Sequence, residues 1–209
     1  FILPGNGSSE LISLLIETRA PKRTLILGPT YSEYSRELSF SGSTQDYYHL
    51  QEAEDFELDV EDLCRTLLNG YDFLILCNPN NPTGYLYTRR EMNQIRDLVK
   101  KYDLFLFSDE VYREFIYTGS PYISACHLEG IENNVVLIDS VSKRYSECGI
   151  RIGALITKNK EIRDAVMKFC QARLSPPLIG QIAAEASLDA PEEYSRETYD
   201  EYVERRKCL

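Results

Sequence analysis

Short, uninterrupted apolar runs separated by amphipathic stretches constrain this chain more than any other feature. Phe73-Leu74-Ile75-Leu76-Cys77 contains no polar residue and is stopped by prolines, and Leu104-Phe105-Leu106-Phe107, Val135-Val136-Leu137-Ile138 and Ala154 to Thr157 repeat the pattern. A strand wetted on one face alternates polar and apolar residues, so unbroken runs need cover on both faces. Helical patterns lie between them. Gly7-Ser8-Ser9 opens a helix through Glu17, with a serine read as N-cap and Glu10 in the first turn. Val60 to Leu68 is a second, and residues 160–173 and 177–188 follow later. Thr88-x-x-Glu91 is a capping box, after which Met92, Ile95, Leu98, Val99 and Tyr102 share one helical face. Thr24 to Leu27 and Tyr47 to Leu50 add two shorter strands. The alternation predicts an α/β fold: three α-β-α layers around a mostly parallel sheet.

A chain of 209 residues can build one sizeable core, and residues 1–188 read as one domain. Residues 189–209 read as the start of a charged helix leading toward a further, C-terminal small domain. Both ends read as cut: Phe1-Ile2-Leu3-Pro4 looks like the tail of a strand, and no helix stop precedes Leu209. The formal charge of −10, with no basic stripe, argues against a nucleic-acid partner. No run is long enough to span a bilayer, so no membrane partner is expected, and a cytoplasmic location is. Cys64, Cys77, Cys126, Cys148, Cys170 and Cys208 show no C-x-x-C spacing and have only His49 and His127 beside them. Reduced thiols are the simpler reading, with no metal site.

Residues able to do chemistry gather after the strands, where open α/β sheets place their ligands. Lys143, in Ser140-Val141-Ser142-Lys143, follows the run ending at Ile138 and precedes Arg151 in Gly149-Ile150-Arg151-Ile152-Gly153. A lysine can form a Schiff base with an aldehyde cofactor while Ser140, Ser142 and Arg151 hold a phosphate on that cofactor. Taken alone, such a segment is usually just a solvated loop. Gly5-Asn6-Gly7-Ser8-Ser9-Glu10 is a second phosphate seat or an ordinary helix start; it matches neither a dinucleotide fingerprint nor a P-loop. Asn78-Pro79-Asn80-Asn81-Pro82-Thr83-Gly84 is either a proline-rich turn or a rigid loop aiming the Asn81 amide at a ring oxygen. Asp109, after Phe107, reads as a partly buried carboxylate needing a partner: a pyridinium N–H, a helix cap or an arginine. Tyr112 could donate to the same ring oxygen as Asn81 or fill the core, and Tyr31 could stack on a flat ring.

Together these segments resemble the large domain of the fold-type I, class I/II aminotransferases, which use pyridoxal 5′-phosphate. Asn78-Pro79-x-Asn81-Pro82-Thr83-Gly84, Asp109-x-x-Tyr112, Ser140-x-Ser142-Lys143 and Arg151 stand in that family's order and approximate spacing, over nearly the whole chain. The resemblance implies that Lys143 is the Schiff-base lysine and Asp109 the partner of the pyridine nitrogen. It also implies that Asn81 and Tyr112 donate to the ring oxygen. Ser8, Ser9, Ser140, Ser142 and Arg151 would bind phosphate, and Tyr31 would stack on the ring. Lys143, Tyr112 and Asp109 are then the catalytic set, and the reaction moves an amino group between an amino acid and a 2-oxo acid. Within the family the chain is similar to the histidinol-phosphate aminotransferase branch. Gly5-Asn6-Gly7-x-x-Glu10 and Glu33-Tyr34-x-Arg36-x-Leu38-x-x-Ser41-Gly42 are similar to threonine-phosphate decarboxylases, whereas Tyr112 favours an aminotransferase. A lyase of that kind is the alternative activity, and a non-catalytic α/β module is a reading of a different class. The family also implies a homodimer for the intact protein.

Overall fold

The computed structural model describes residues 1–208. Seven strands form one sheet: β1 (Ile2–Gly5), β2 (Arg23–Gly28), β3 (Thr44–His49), β4 (Phe73–Cys77), β5 (Phe105–Asp109), β6 (Val135–Ser140) and β7 (Gly153–Thr157), in the spatial order β1-β7-β6-β5-β4-β2-β3. Pairing is parallel from β3 through β2, β4 and β5 to β6. β7 runs against both of its neighbours, β6 and β1. The expected mostly parallel sheet is therefore present, with one reversed strand near its edge.

The unbroken apolar runs of β4, β5 and β6 have the cause inferred for them, burial of both faces, whereas Ala154 and Ile156 of β7 are only half-buried. Phe73, Ile75 and Cys77 of β4 face one core while Leu74 and Leu76 face the other. The first core is closed by α1 (Gly7–Arg19), α2 (Glu33–Ser41) and α6 (Lys160–Arg173), through Leu11, Leu15, Leu38 and Val166. The second is closed by α3 (Val60–Leu67) and α4 (Arg89–Tyr102), through Leu63, Leu67, Met92, Ile95 and Val99. Thr88 and Glu91 form the expected reciprocal capping box at the head of α4. Three further helices complete the chain: the single turn α5 (Val141–Arg144), then α7 (Leu178–Ala186) and α8 (Glu192–Lys207).

Several local expectations need correction. No serine caps α1. Asn6 holds the cap position without a side-chain cap bond: its N–H (2.7 Å) and its side-chain amide nitrogen (2.9 Å) both donate to Glu10, and its Oδ1 accepts from no N–H of the first turn. β3 starts earlier than expected, since its ladder pairs Thr44 with Arg23 and His49 with Gly28. β5 and β6 extend through Asp109 and Ser140, so these polar residues end their strands instead of following them: ladder bonding, not side-chain polarity, sets the boundary. Finally, α2 was not anticipated. Only Tyr34 and Leu38 of its nine residues are buried, too few for a visible helical stripe, although Gly42 at φ +73° supplies an ordinary C-terminal stop.

α8 lays an aromatic face on the chain. Tyr199 stacks on Tyr117 at 5.2 Å, Tyr202 meets Phe115 edge-on at 5.5 Å, and the Tyr194 hydroxyl donates to Ser146 Oγ at 2.8 Å.

Candidate functional site

The reversed direction of β7 assembles the site. Its amino end lies beside the carboxyl ends of the other strands, so Arg151, just ahead of β7, reaches the edge where β1, β4, β5 and β6 finish. Gly153 pairs with Gly5 on one side and Ser140 on the other. A β-carbon there would lie 2.8 Å from the Gly7 carbonyl carbon and 2.9 Å from the Ser8 nitrogen, so only glycine permits this approach. The head of α1, the end of β6 and Arg151 are thereby drawn together.

All ten residues singled out from the sequence line one cavity of about 180 Å³. Ser8 and Ser9 come from the head of α1, Tyr31 from the segment after β2, and Asn81 from the loop after β4. Asp109 ends β5 with Tyr112 three residues on; Ser140, Ser142 and Lys143 come from the β6–α5 junction; Arg151 completes the ring. Lys143 Nζ sits 5.6 Å from the centre of the Tyr112 ring. A neighbouring cavity of about 530 Å³ shares Asn81, Tyr112, Ser142 and Lys143 and is walled by Phe115, Tyr117 and Tyr202. Lys143 therefore stands at the junction of two chambers.

The charges in the smaller cavity lack ordinary partners. Arg151 holds φ +57°, a backbone state that non-glycine residues rarely adopt, and its guanidinium donates to the carbonyls of Cys148 (2.8 Å) and Asn6 (3.4 Å). Neither partner is a carboxylate. The guanidinium also lies across Gly7 so closely that a β-carbon there would be 2.1 Å from Nη2. A cation at the uncapped amino end of α1 opposes the helix dipole, and an anion bound between them reverses that penalty. Ser140 Oγ accepts the Ser142 N–H at 3.3 Å, leaving its own proton to donate.

Asp109 presents the opposite case. It is 3% exposed, and its carboxyl is pushed up to about 6, chiefly by burial, with a smaller upward push from Asp139. Hydrogen bonds from Tyr34 (2.7 Å) and the Val111 N–H (3.3 Å) work against that rise. No cation is paired with it among the described residues. An N–H of a bound pyridinium ring would supply one. The residues present therefore fit a phosphorylated pyridine aldehyde: an anion seat at one end, a buried carboxylate for the ring nitrogen, and a free primary amine between.

Asp139 braces the two halves of the wall. Its Oδ2 accepts from Arg113 at 2.8 Å and from Arg144 at 3.2 Å, and Arg144 also pairs with Glu114 at 3.1 Å. Each arginine is the chain neighbour of a site residue, Tyr112 in one case and Lys143 in the other.

The sequence profile described as aminotransferase class I and II matches residues 1–209. The chain belongs to this family. It is 31% identical over 193 residues to an alanine aminotransferase of Mycobacterium tuberculosis, covering 88% of this chain and 44% of that protein. It is equally 31% identical, over 186 residues, to the threonine-phosphate decarboxylase of Salmonella typhimurium, covering 88% of this chain and 48% of the relative. An aromatic aminotransferase structure from Pyrococcus horikoshii superposes with a TM-score of 0.91 at 26% identity, covering 99% of this chain and 57% of that one. The chain thus spans about half the length of the curated relatives it matches. Enzymes of this family generally use pyridoxal 5′-phosphate, and the three-layer fold expected from the sequence is shared with the solved relatives.

Tyr34 and Gly7 contribute to the site although neither was singled out from the sequence as a site residue. Tyr34 reaches Asp109 from an unanticipated helix, and Gly7 leaves room for the Arg151 guanidinium. The signal for Gly7 lay in Gly5-Asn6-Gly7, a stretch that offers a phosphate seat or a helix start; that for Tyr34 was its four-residue spacing from Leu38 ahead of Gly42.

Proposed function

We propose that this chain is the cofactor-holding part of a pyridoxal-phosphate-dependent aminotransferase that moves an amino group between an amino acid and a 2-oxo acid. The observation carrying this reading is the single cavity in which Lys143, a buried Asp109 without a cationic partner and an Arg151 without a carboxylate partner converge. When bound, the cofactor supplies an aldehyde and a protonated ring that takes up electrons from the substrate. Lys143 would provide the amine that holds it covalently and would carry the proton at the substrate's α-carbon. Asp109 would keep the proton on the ring nitrogen. Asn81 and Tyr112 would donate to the ring oxygen, Tyr31 would pack on the ring face, and Ser8, Ser9, Ser140, Ser142 and Arg151 would hold the phosphate. The larger chamber beside Lys143 gives the substrate side chain room.

Residues 1–188 form the cofactor domain in this reading, and 189–209 lead toward a C-terminal domain. The intact protein is a cytoplasmic homodimer, and Leu178, Ile179 and Ile182, 57–82% exposed on α7, are apolar surface suited to a second copy. No helix among the described residues is long and apolar enough to cross a membrane.

Borohydride reduction of the full-length protein with pyridoxal phosphate should leave a covalent pyridoxyl group on Lys143, found by peptide mass spectrometry, and Lys143→Ala should abolish it. Amino exchange with a panel of amino acids and 2-oxo acids should then be detected. A second reading, a decarboxylase of a phosphorylated amino acid, is favoured by the similarity to the Salmonella enzyme. Release of carbon dioxide without 2-oxo acid formation would select it. A protein that takes up no cofactor on Lys143 would defeat both.

A further inference from the structure

Tyr34 is buried completely, on a helix otherwise remote from the chemistry. Its ring meets Phe107 edge-on at 5.5 Å and Tyr31 edge-on at 5.6 Å, contacts a phenylalanine would make equally well. The hydroxyl is what distinguishes it. A buried hydroxyl is costly without a partner, and this one donates to Asp109 Oδ2 at 2.7 Å.

The groups facing Asp109 come from four directions. Tyr34 approaches from α2, Cys77 from the paired position on β4, Asp139 from β6, and the Val111 N–H from the chain just beyond. Burial pushes the Cys77 thiol up to about 12, so it stays protonated and uncharged. Asp139 acts in the wrong direction, favouring a proton on Asp109. Among the described residues, Tyr34 is the one side chain at hydrogen-bonding distance that stabilises the carboxylate. The phenol itself is held far above its ordinary range by burial and by Asp109, so it remains a donor.

We propose that Tyr34 is a positioning residue that sets, through Asp109, whether the ring nitrogen of a bound pyridine cofactor carries a proton. The inference rests on the function proposed above. A pyridinium and a carboxylate in a dry site compete for one proton. The donated O–H lowers the proton affinity of Asp109, so the proton stays on the ring nitrogen, where it makes the ring an electron sink. Without that donor the proton moves toward Asp109 and the pair becomes neutral. Tyr34 also backs Tyr31, so the same side chain supports both the edge and the face of the ring site.

The test is nitrogen NMR on the full-length protein loaded with pyridoxal phosphate labelled with ¹⁵N in the ring. Asp109→Asn supplies the reference for an unprotonated ring. Tyr34→Phe should move the ring resonance toward that reference and weaken cofactor binding roughly tenfold, the size of one hydrogen bond to a charged group. In the Asp109→Asn background the same substitution should move nothing further. Should Tyr34→Phe not fold, 3-fluorotyrosine at position 34, a stronger donor of nearly the same shape, should shift the resonance the opposite way. A resonance unchanged by whichever variants fold overturns the inference. A wild-type protein that never attaches the cofactor to Lys143 fails at an earlier step and refutes the functional reading instead.

Discussion

Replacing Asp109 with asparagine should stabilise the cofactor-free protein, by an amount that depends on pH in a defined way. Burial raises this carboxyl from 3.8 to about 6 in the native state. The difference corresponds to about 3 kcal/mol, at about 1.4 kcal/mol per unit. Because the native pKa is the higher one, the folded protein binds more protons than the unfolded chain between pH 4 and 6. Asp109's contribution to stability is then full below about pH 4, is lost as pH rises through 6, and stays lost above. Asparagine has no such cost, and the site can satisfy it: the amide oxygen accepts the Val111 N–H, and the Tyr34 hydroxyl rotates to accept from the amide nitrogen. Urea unfolding of both proteins without cofactor, from pH 4 to 8, should show their stability difference growing by about 3 kcal/mol across pH 4–6 in favour of the variant. Other titrating carboxylates, Glu110 and Asp139 among them, largely cancel in that difference. With pyridoxal phosphate present, the ring N–H compensates Asp109 and the advantage should shrink or reverse, since a ligand that binds the native state stabilises it. A difference constant within about 0.5 kcal/mol over that pH range would refute the burial argument.

Other substitutions probe separate parts of the site. Gly7→Ala places a β-carbon 2.1 Å from Arg151 Nη2 at φ +78°. It should cost about 1–2 kcal/mol of backbone strain and displace the guanidinium, lowering phosphate-dependent cofactor affinity at least tenfold by calorimetric titration; unchanged affinity would remove Arg151 from the anion seat. Glu110→Ala strips the partner from Ser108 Oγ and the Ala125 N–H, both at 2.8 Å, and from the Tyr122 hydroxyl. These buried donors, left unpaired, should lower stability by at least about 3 kcal/mol in a thermal melt, and a change below about 1 kcal/mol would show that water takes over. Thr88→Ala removes half of the α4 capping box and should cost about 1 kcal/mol without altering cofactor affinity.

Much of the site was legible in the linear chain because its parts are local. Lys143 with Ser140 and Ser142, and Asp109 with Tyr112, are short strings whose residue types are unusual together at strand ends. The loop from Asn78 to Gly84 is legible for the same reason. Tyr34 and Asp109 lie 75 residues apart, and no spacing in the chain announces their bond. The helix carrying Tyr34 buries just two of its side chains, so its period is faint.

Strand direction was equally invisible. The run from Ala154 to Thr157 reads identically forward or backward, because apolar side chains carry no record of strand direction. Local composition and periodicity were enough to determine a covered sheet, its alternating helices and a set of reactive groups at strand ends, since each depends on neighbours within a few positions. Only the folded chain decided that β7 runs in reverse, bringing Arg151 over α1, and that a distant phenol answers the buried Asp109. Both outcomes arise from long-range pairing, in which backbone hydrogen bonds and burial choose partners that sequence distance does not encode.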